Sequence, residues 1–135
     1  MKTPSEIIEL MLSNDAFSNW LGVEIIDLFK GKCILRLKVN DSMLNGFNIA
    51  HGGIAYSLAD SCLAFASNSN GYKAVTIDTS FSYLKKVNKD DVLTAISIQE
   101  NVSKKIAVYS INILNQENDK VALMKGTVSI SNNEW

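Results

Sequence analysis

Between Gly52 and Asn70 the sequence GGIAYSLADSCLAFASNSN carries a single charged side chain, Asp60. Wound at 3.6 residues per turn, Ile54, Leu58, Ala59, Cys62, Phe65 and Ala66 make one broad apolar face. The other side presents Tyr56, Ser57, Leu63, Ala64 and Ser67, which is small and weakly polar. A helix that is apolar nearly all round is buried nearly all round. A carboxylate there is desolvated, which raises its pKa and makes it a better base. The alternative is an Asp on a solvated stripe, or one held by a nearby hydroxyl. Asp60 and several Ser and Asn interrupt the run, so it does not predict a membrane span.

The same segment opens with His51-Gly52-Gly53. Two glycines at a helix start let a ligand approach bare backbone N–H groups. With the positive end of the helix dipole, those donors suit a carbonyl oxygen gaining negative charge. The pair serves equally well as a turn that only reverses the chain, and His51 as a helix cap. Asn45-Gly46 by itself reads as a turn. Asp60 follows Gly52 by eight residues, about 12 Å along one helix. That is far for one small substrate atom. The spacing fits better if Gly52 of one copy faces Asp60 of another, since antiparallel helices about a two-fold axis give two equivalent sites.

Composition narrows the field. The 135 residues suit one domain, residues 1–135, and 47 % hydrophobic against 20 % charged residues describes a folded globular chain. Thirteen basic residues against fourteen acidic leave no excess positive charge for a nucleic-acid backbone. Cys33 and Cys62 form no CxxC pair, and His51 is the only histidine, so neither a disulfide framework nor a metal site is expected. A nucleophilic Cys62–His51 pair would need the two side by side in space. The opening MKTPSEIIEL has no long apolar core and no small-residue cleavage site. The expectation is a reduced, cytoplasmic protein with no membrane or nucleic-acid partner.

The elements that must position these residues follow from the pattern. Thr3, Pro4 and Glu6 predict a capped helix with Ile7, Ile8, Leu10 and Met11 on its apolar stripe. Phe17, Trp20 and Leu21 offer anchors for a short turn. Val23 to Phe29 and Cys33 to Val39 read as a hairpin about Lys30-Gly31-Lys32. A loop leads to one helix over Gly52 to Asn70, closed by Asn70-Gly71. Alternation then predicts a strand through Val75 to Tyr83, and further strands over Asp91 to Asn101, Lys105 to Asn115 and Lys120 to Ser131. Strands joined by short turns imply an antiparallel sheet and an α+β fold.

Taken together, Asn45-Gly46, His51-Gly52-Gly53, Leu58-Ala59-Asp60, Ala64-Phe65-Ala66 and Asn68 to Gly71 resemble the hotdog-fold thioesterases of the phenylacetate-pathway (PaaI) type. Ala74-Val75, Tyr83-Leu84, Asp91 to Ala95 and Val121-Ala122 extend the likeness over nearly the whole chain. The resemblance implies a hotdog fold, with about six antiparallel strands wrapped around a long central helix and a short N-terminal helix. It implies hydrolysis of acyl-CoA to free acid and coenzyme A, on phenylacetyl-CoA or a hydroxylated or ring-modified relative, with no cofactor. It gives Gly52 the N–H that polarises the thioester carbonyl, and Asp60 the part of general base or nucleophile. Asn45 would help hold the thioester or water, the Thr76 hydroxyl would orient the water, and His51 would shape the site by hydrogen bonding, with Gly53 beside the substrate. Asn45 and Gly52 would come from one subunit, Asp60 and Thr76 from its neighbour, in a homodimer that pairs into a tetramer.

The likeness departs after Tyr83-Leu84, where relatives often carry a Pro and, before the next strand's Asp, a Gly. Here the stretch is Lys85-Lys86-Val87-Asn88-Lys89-Asp90-Asp91. Lys85, Lys86 and Lys89 stand where CoA phosphates would be met, and equally where lysines solvate a turn. Competing functions are a non-catalytic acyl-CoA binding module, a medium-chain acyl-CoA thioesterase of the same fold, and a hydratase, for which His51 is the only histidine.

Overall fold

The computed structural model describes residues 1–135. Thr3 opens α1 (Pro4–Ser13) as predicted: its hydroxyl accepts from the Glu6 N–H, and the Glu6 carboxylate accepts from the Thr3 N–H at 2.7 Å. The segment expected to be a short turn is instead a helix, α2 (Ala16–Leu21). Asp15 caps it by accepting from the Ser18 N–H, and Gly22, at φ 75°, ends it. Six residues are too few to display a helical period, which hid it in the sequence. The hairpin is β1 (Glu24–Phe29) and β2 (Lys32–Lys38), turning through Gly31 at φ 75°.

The long helix, α3 (Gly52–Asn68), stops two residues short of the predicted Asn70. Asn68 ends it: its side chain donates to the Ala74 carbonyl and accepts from the Ala74 N–H, tying the helix end to the next strand. That strand is β3 (Tyr72–Tyr83), followed by β4 (Val92–Val102), β5 (Ile106–Leu114) and β6 (Lys120–Glu134), the last running three residues beyond the predicted Ser131. The six strands form one antiparallel sheet in the order β1-β2-β4-β5-β6-β3, with β1 and β3 at its edges.

One face of the sheet closes on α3. Cys33, Leu35 and Leu37 of β2, Leu93 and Ala95 of β4, and Tyr109, Ile111 and Ile113 of β5 alternate inward and are fully buried, joining Leu58, Cys62 and Phe65 in one core. Each large side chain so buried contributes about 1.5–3 kcal/mol. Leu63, expected on the weakly polar side of α3, is also fully buried. It fits against β6 because Gly126 has no Cβ to meet it. Cys33 and Cys62 are both free and inaccessible, and the Cys62 thiol donates to the Cys33 carbonyl at 3.4 Å. No helix is long and apolar enough to cross a membrane.

Strand β3 departs from the simple alternation read from its sequence. Its register against β6 slips between Thr76 and Asp78, a bulge at Ile77. A bulge shifts the two-residue period by one. Thr76 therefore shares the α3-facing side with Thr79 and Phe81, rather than with Asp78 and Ser80; these three are half-buried and Asp78 and Ser80 are exposed.

Candidate active site

His51 is the N-cap of α3, and its Nδ1 accepts from the Gly53 N–H at 2.9 Å. The preceding donor, the Gly52 N–H, has no acceptor in the chain. A free N–H at the first turn of a helix, at the positive end of its dipole, is a ready anchor for an oxygen carrying negative charge. Asn45 folds the loop before it: its Oδ1 accepts from the N–H of Phe47 at 2.9 Å and of Ile49 at 3.3 Å. That leaves the Asn45 amide nitrogen without a partner in the chain. Tyr83 closes the other side, its hydroxyl donating to the Gly52 carbonyl at 2.9 Å. Asn45, His51, Gly52, Tyr83, Lys85 and Lys86 line one cavity of about 400 Å³. Any Cβ at position 52 would sit 3.1 Å from the Tyr83 Oη.

Asp60 lies two turns further along α3. It is half-buried, and its carboxylate makes no hydrogen bond in the chain. Burial pushes its pKa up, and the charge of Asp15 pushes it further the same way. Asp15 is held in place through α2: it accepts from the Ser18 hydroxyl at 2.6 Å, and that hydroxyl meets Ser61, next to Asp60, at 2.9 Å. Thr76 is aligned with the middle of α3. Tyr56 bonds Thr79 at 2.7 Å and Asn68 bonds Ala74, so the strand between these two pins runs beside the turns that carry Asp60.

One chain thus gathers Asn45, His51, Gly52, Lys85 and Lys86, and keeps Asp60 and Thr76 apart from them. Gly53 borders a second cavity, which His51 shares. The Lys85 ammonium pairs with Asp119, which raises its pKa, and Lys89 pairs with Asp41 at 2.8 Å. Lys86 makes no ion pair and is the free cation at the cavity. Cys62 is enclosed against β2 while His51 is exposed, so no Cys–His nucleophile pair forms. Sequence reasoning missed Tyr83 and Asp15. Both act through contacts across many residues, which periodicity does not encode.

The arrangement can polarise a carbonyl at Gly52 and can activate water or attack at Asp60, on condition that the two are brought together from different copies. The chain is similar to known thioesterases. A model of the thioesterase superfamily matches residues 47–122. The chain is 38% identical over 116 residues to the acyl-coenzyme A thioesterase PaaI of Escherichia coli, covering 86% of this chain and 83% of that one. It superposes on the structure of E. coli PaaI, from the phenylacetic acid degradation operon, with a TM-score of 0.94 at 34% identity, covering 97% of this chain and 95% of the other. A thioesterase protein of Streptococcus pneumoniae TIGR4, solved with coenzyme A, matches with a TM-score of 0.87 at 29% identity over 93% of this chain and 98% of that one. Two further structures of a thioesterase protein from that organism carry alanine in place of one Asp and of one Thr. Those positions are sixteen residues apart, as Asp60 and Thr76 are here.

Proposed function

The chain belongs to the thioesterase superfamily, and we propose that it hydrolyses acyl-coenzyme A thioesters to the free acid and coenzyme A. The observation that carries this is the free Gly52 N–H, at the mouth of α3 in a cavity that also holds the unpaired Asn45 amide and a free lysine. The thioester oxygen would take its hydrogen bond from Gly52 and gain most where charge develops, an effect worth roughly 3–4 kcal/mol per donor. Asp60 of a second copy, its basicity raised by burial, would take the proton from water or attack the carbonyl itself. Thr76 would hold that water and Asn45 the thioester. His51 serves by capping: it occupies the Gly53 N–H and leaves that of Gly52 for substrate.

This scheme needs no metal or organic cofactor. It needs a homodimer with two shared sites, and we extend it to a pair of dimers. The E. coli relative's operon supports a phenylacetyl-type acyl group as substrate. Two unpaired cysteines suit a reducing, cytoplasmic setting. The test is thiol release from a panel of acyl-CoAs, aromatic against straight-chain. Wild-type protein should release coenzyme A, and Asp60→Asn should lose at least ~10²-fold in kcat. Binding without thiol release from any member would leave an acyl-CoA binding module in its place.

A further inference from the structure

Thr76 stands on a short piece of strand that the sheet alone secures poorly. Strand β3 lies at the edge, so β6 is its only partner in the sheet. The ladder between them slips twice, between Tyr72 and Ala74 and again between Thr76 and Asp78. Ala74, Val75 and Thr76 are left as an island of paired residues, opposite Ile130, Ser129 and Val128. A segment cut off on both sides by bulges has little of the ladder's register to fix it.

What fixes it comes from α3. The Asn68 side chain is 2% exposed, and each of its two donors and two acceptor positions is filled. Its amide nitrogen donates to the carbonyls of Ala64 at 2.8 Å and Ala74 at 3.0 Å, and its Oδ1 accepts from the Ala74 N–H at 2.9 Å. The remaining partner is the Trp135 indole N–H, 2.8 Å from the same oxygen.

Trp135 reaches Asn68 because of the first slip. There β6 sets the stretch from Ser131 to Asn133 against Lys73 alone, and such a bulge re-aims the chain that follows it. Trp135 is then held from three sides. Its backbone N–H donates to the Gly71 carbonyl at 3.1 Å, and its carbonyl accepts from the Lys2 ammonium at 2.6 Å. The Lys73 ammonium lies 5.2 Å from the centroid of its ring, a cation–π distance.

Asn68 and Asp60 ride on the same helix, so Asn68 sets the strand in the frame of Asp60. We propose that Asn68, clasped by Trp135, is the positioning residue for Thr76. It fixes the Thr76 hydroxyl relative to Asp60 of the same chain, and it acts through the strand rather than on substrate. A misplacement of about 1 Å, caused far from the chemistry, can cost about 100-fold in rate. The inference rests on the acyl-CoA reading above, in which Thr76 holds the water.

Two variants test it. Trp135→Phe keeps a ring and removes the indole N–H; Asn68→Asp keeps the acceptor and removes both donated bonds. Each is read by thiol release from phenylacetyl-CoA and hexanoyl-CoA, by the methyl NMR signal of Thr76, and by amide exchange at Ala74 against buried Ile111 of the central strand β5. In Trp135→Phe the Thr76 signal should shift and the Ala74 amide should exchange about 5-fold faster, the loss of one hydrogen bond's worth of protection. Ile111 should be unchanged, and kcat should fall about 10-fold with KM held. Asn68→Asp should lose about 100-fold in kcat; if it does not fold, Trp135→Phe alone decides. A Thr76 signal and an Ala74 amide that stay as in wild type overturn the clasp. An unchanged kcat beside a shifted Thr76 signal overturns the positioning role, and so does a loss of kcat matched by faster exchange at Ile111, which would be general loosening of the fold. Wild-type protein that releases no thiol sinks hydrolysis alone: a shifted Thr76 signal in Trp135→Phe then still upholds the positioning of the strand, and an unmoved one overturns it.

Discussion

At the scale of the residue, Asp60 pays for its reactivity in stability. Its folded pKa is raised, first by burial and then by Asp15. The folded state therefore holds its proton more tightly than the unfolded chain does. That favourable contribution is complete below the unfolded pKa and is lost as pH rises through the folded one. Asp60→Asn should accordingly melt higher than wild type near neutral pH, with the difference closing in acid, measurable by calorimetry across pH. As a base Asp60 must be ionised, so kcat/KM should climb with pH along a limb displaced upward from that of a free aspartate. Asp15→Asn, which removes a like charge, should move that limb to lower pH in a pH–rate profile. Gly52→Ala keeps the N–H and improves helix propensity by up to ~1 kcal/mol, yet crowds Tyr83 and the cavity. Its melting temperature should hold while kcat falls about 10- to 100-fold, less than or comparable to outright loss of such a donor.

At the scale of the element, what the sequence reveals depends on how far a pattern runs. The long helix was legible because nineteen residues contain one charge, and the inward faces of β2 and β5 because their alternation is unbroken. The bulge at Ile77 was not legible, since nothing in the residue types marks where a two-residue period slips, and it decides which way Thr76 points. Nor was α2, too short for periodicity although it carries Phe17 and Trp20. Of the site, the chemistry of Gly52 and Asp60 could be argued from residue type; the contact of Tyr83 with Gly52 could not, because thirty-one residues separate them. The seating of α3 on the sheet turns on Gly126, where an added Cβ would overlap Leu63. Gly126→Ala should cost about 1–3 kcal/mol by overpacking, seen in denaturant midpoints, and Leu63→Val in the same chain should recover part of it.

At the scale of the whole molecule, a single chain holds half of each proposed site. Gly52 and Asp60 are two helical turns apart, and the sequence spacing already pointed to a second copy. Edge strand β3 exposes Val75 and Ile77, and Asp60 is only half-buried on α3, so both can meet a second copy. Shared sites make a sharp prediction. Gly52→Ala and Asp60→Asn chains, each impaired alone, should regain about a quarter of wild-type activity when mixed and allowed to exchange, because half the dimers are hybrids and each hybrid has one intact site. Sites contained within one chain would regain nothing.

The two enclosed sulfurs of Cys33 and Cys62 bear on every such assay. Released coenzyme A is read by a reagent that captures thiols, and a protein with accessible cysteines consumes it and gives a false baseline. Here both sulfurs are shut off, and the Cys62 thiol is pushed toward its protonated form by the Cys33 thiol and by burial, so the folded protein should be silent to the reagent. A signal of two equivalents per chain, arriving slowly and without substrate, then becomes a clock for global opening of the fold, recorded in the same cuvette as turnover.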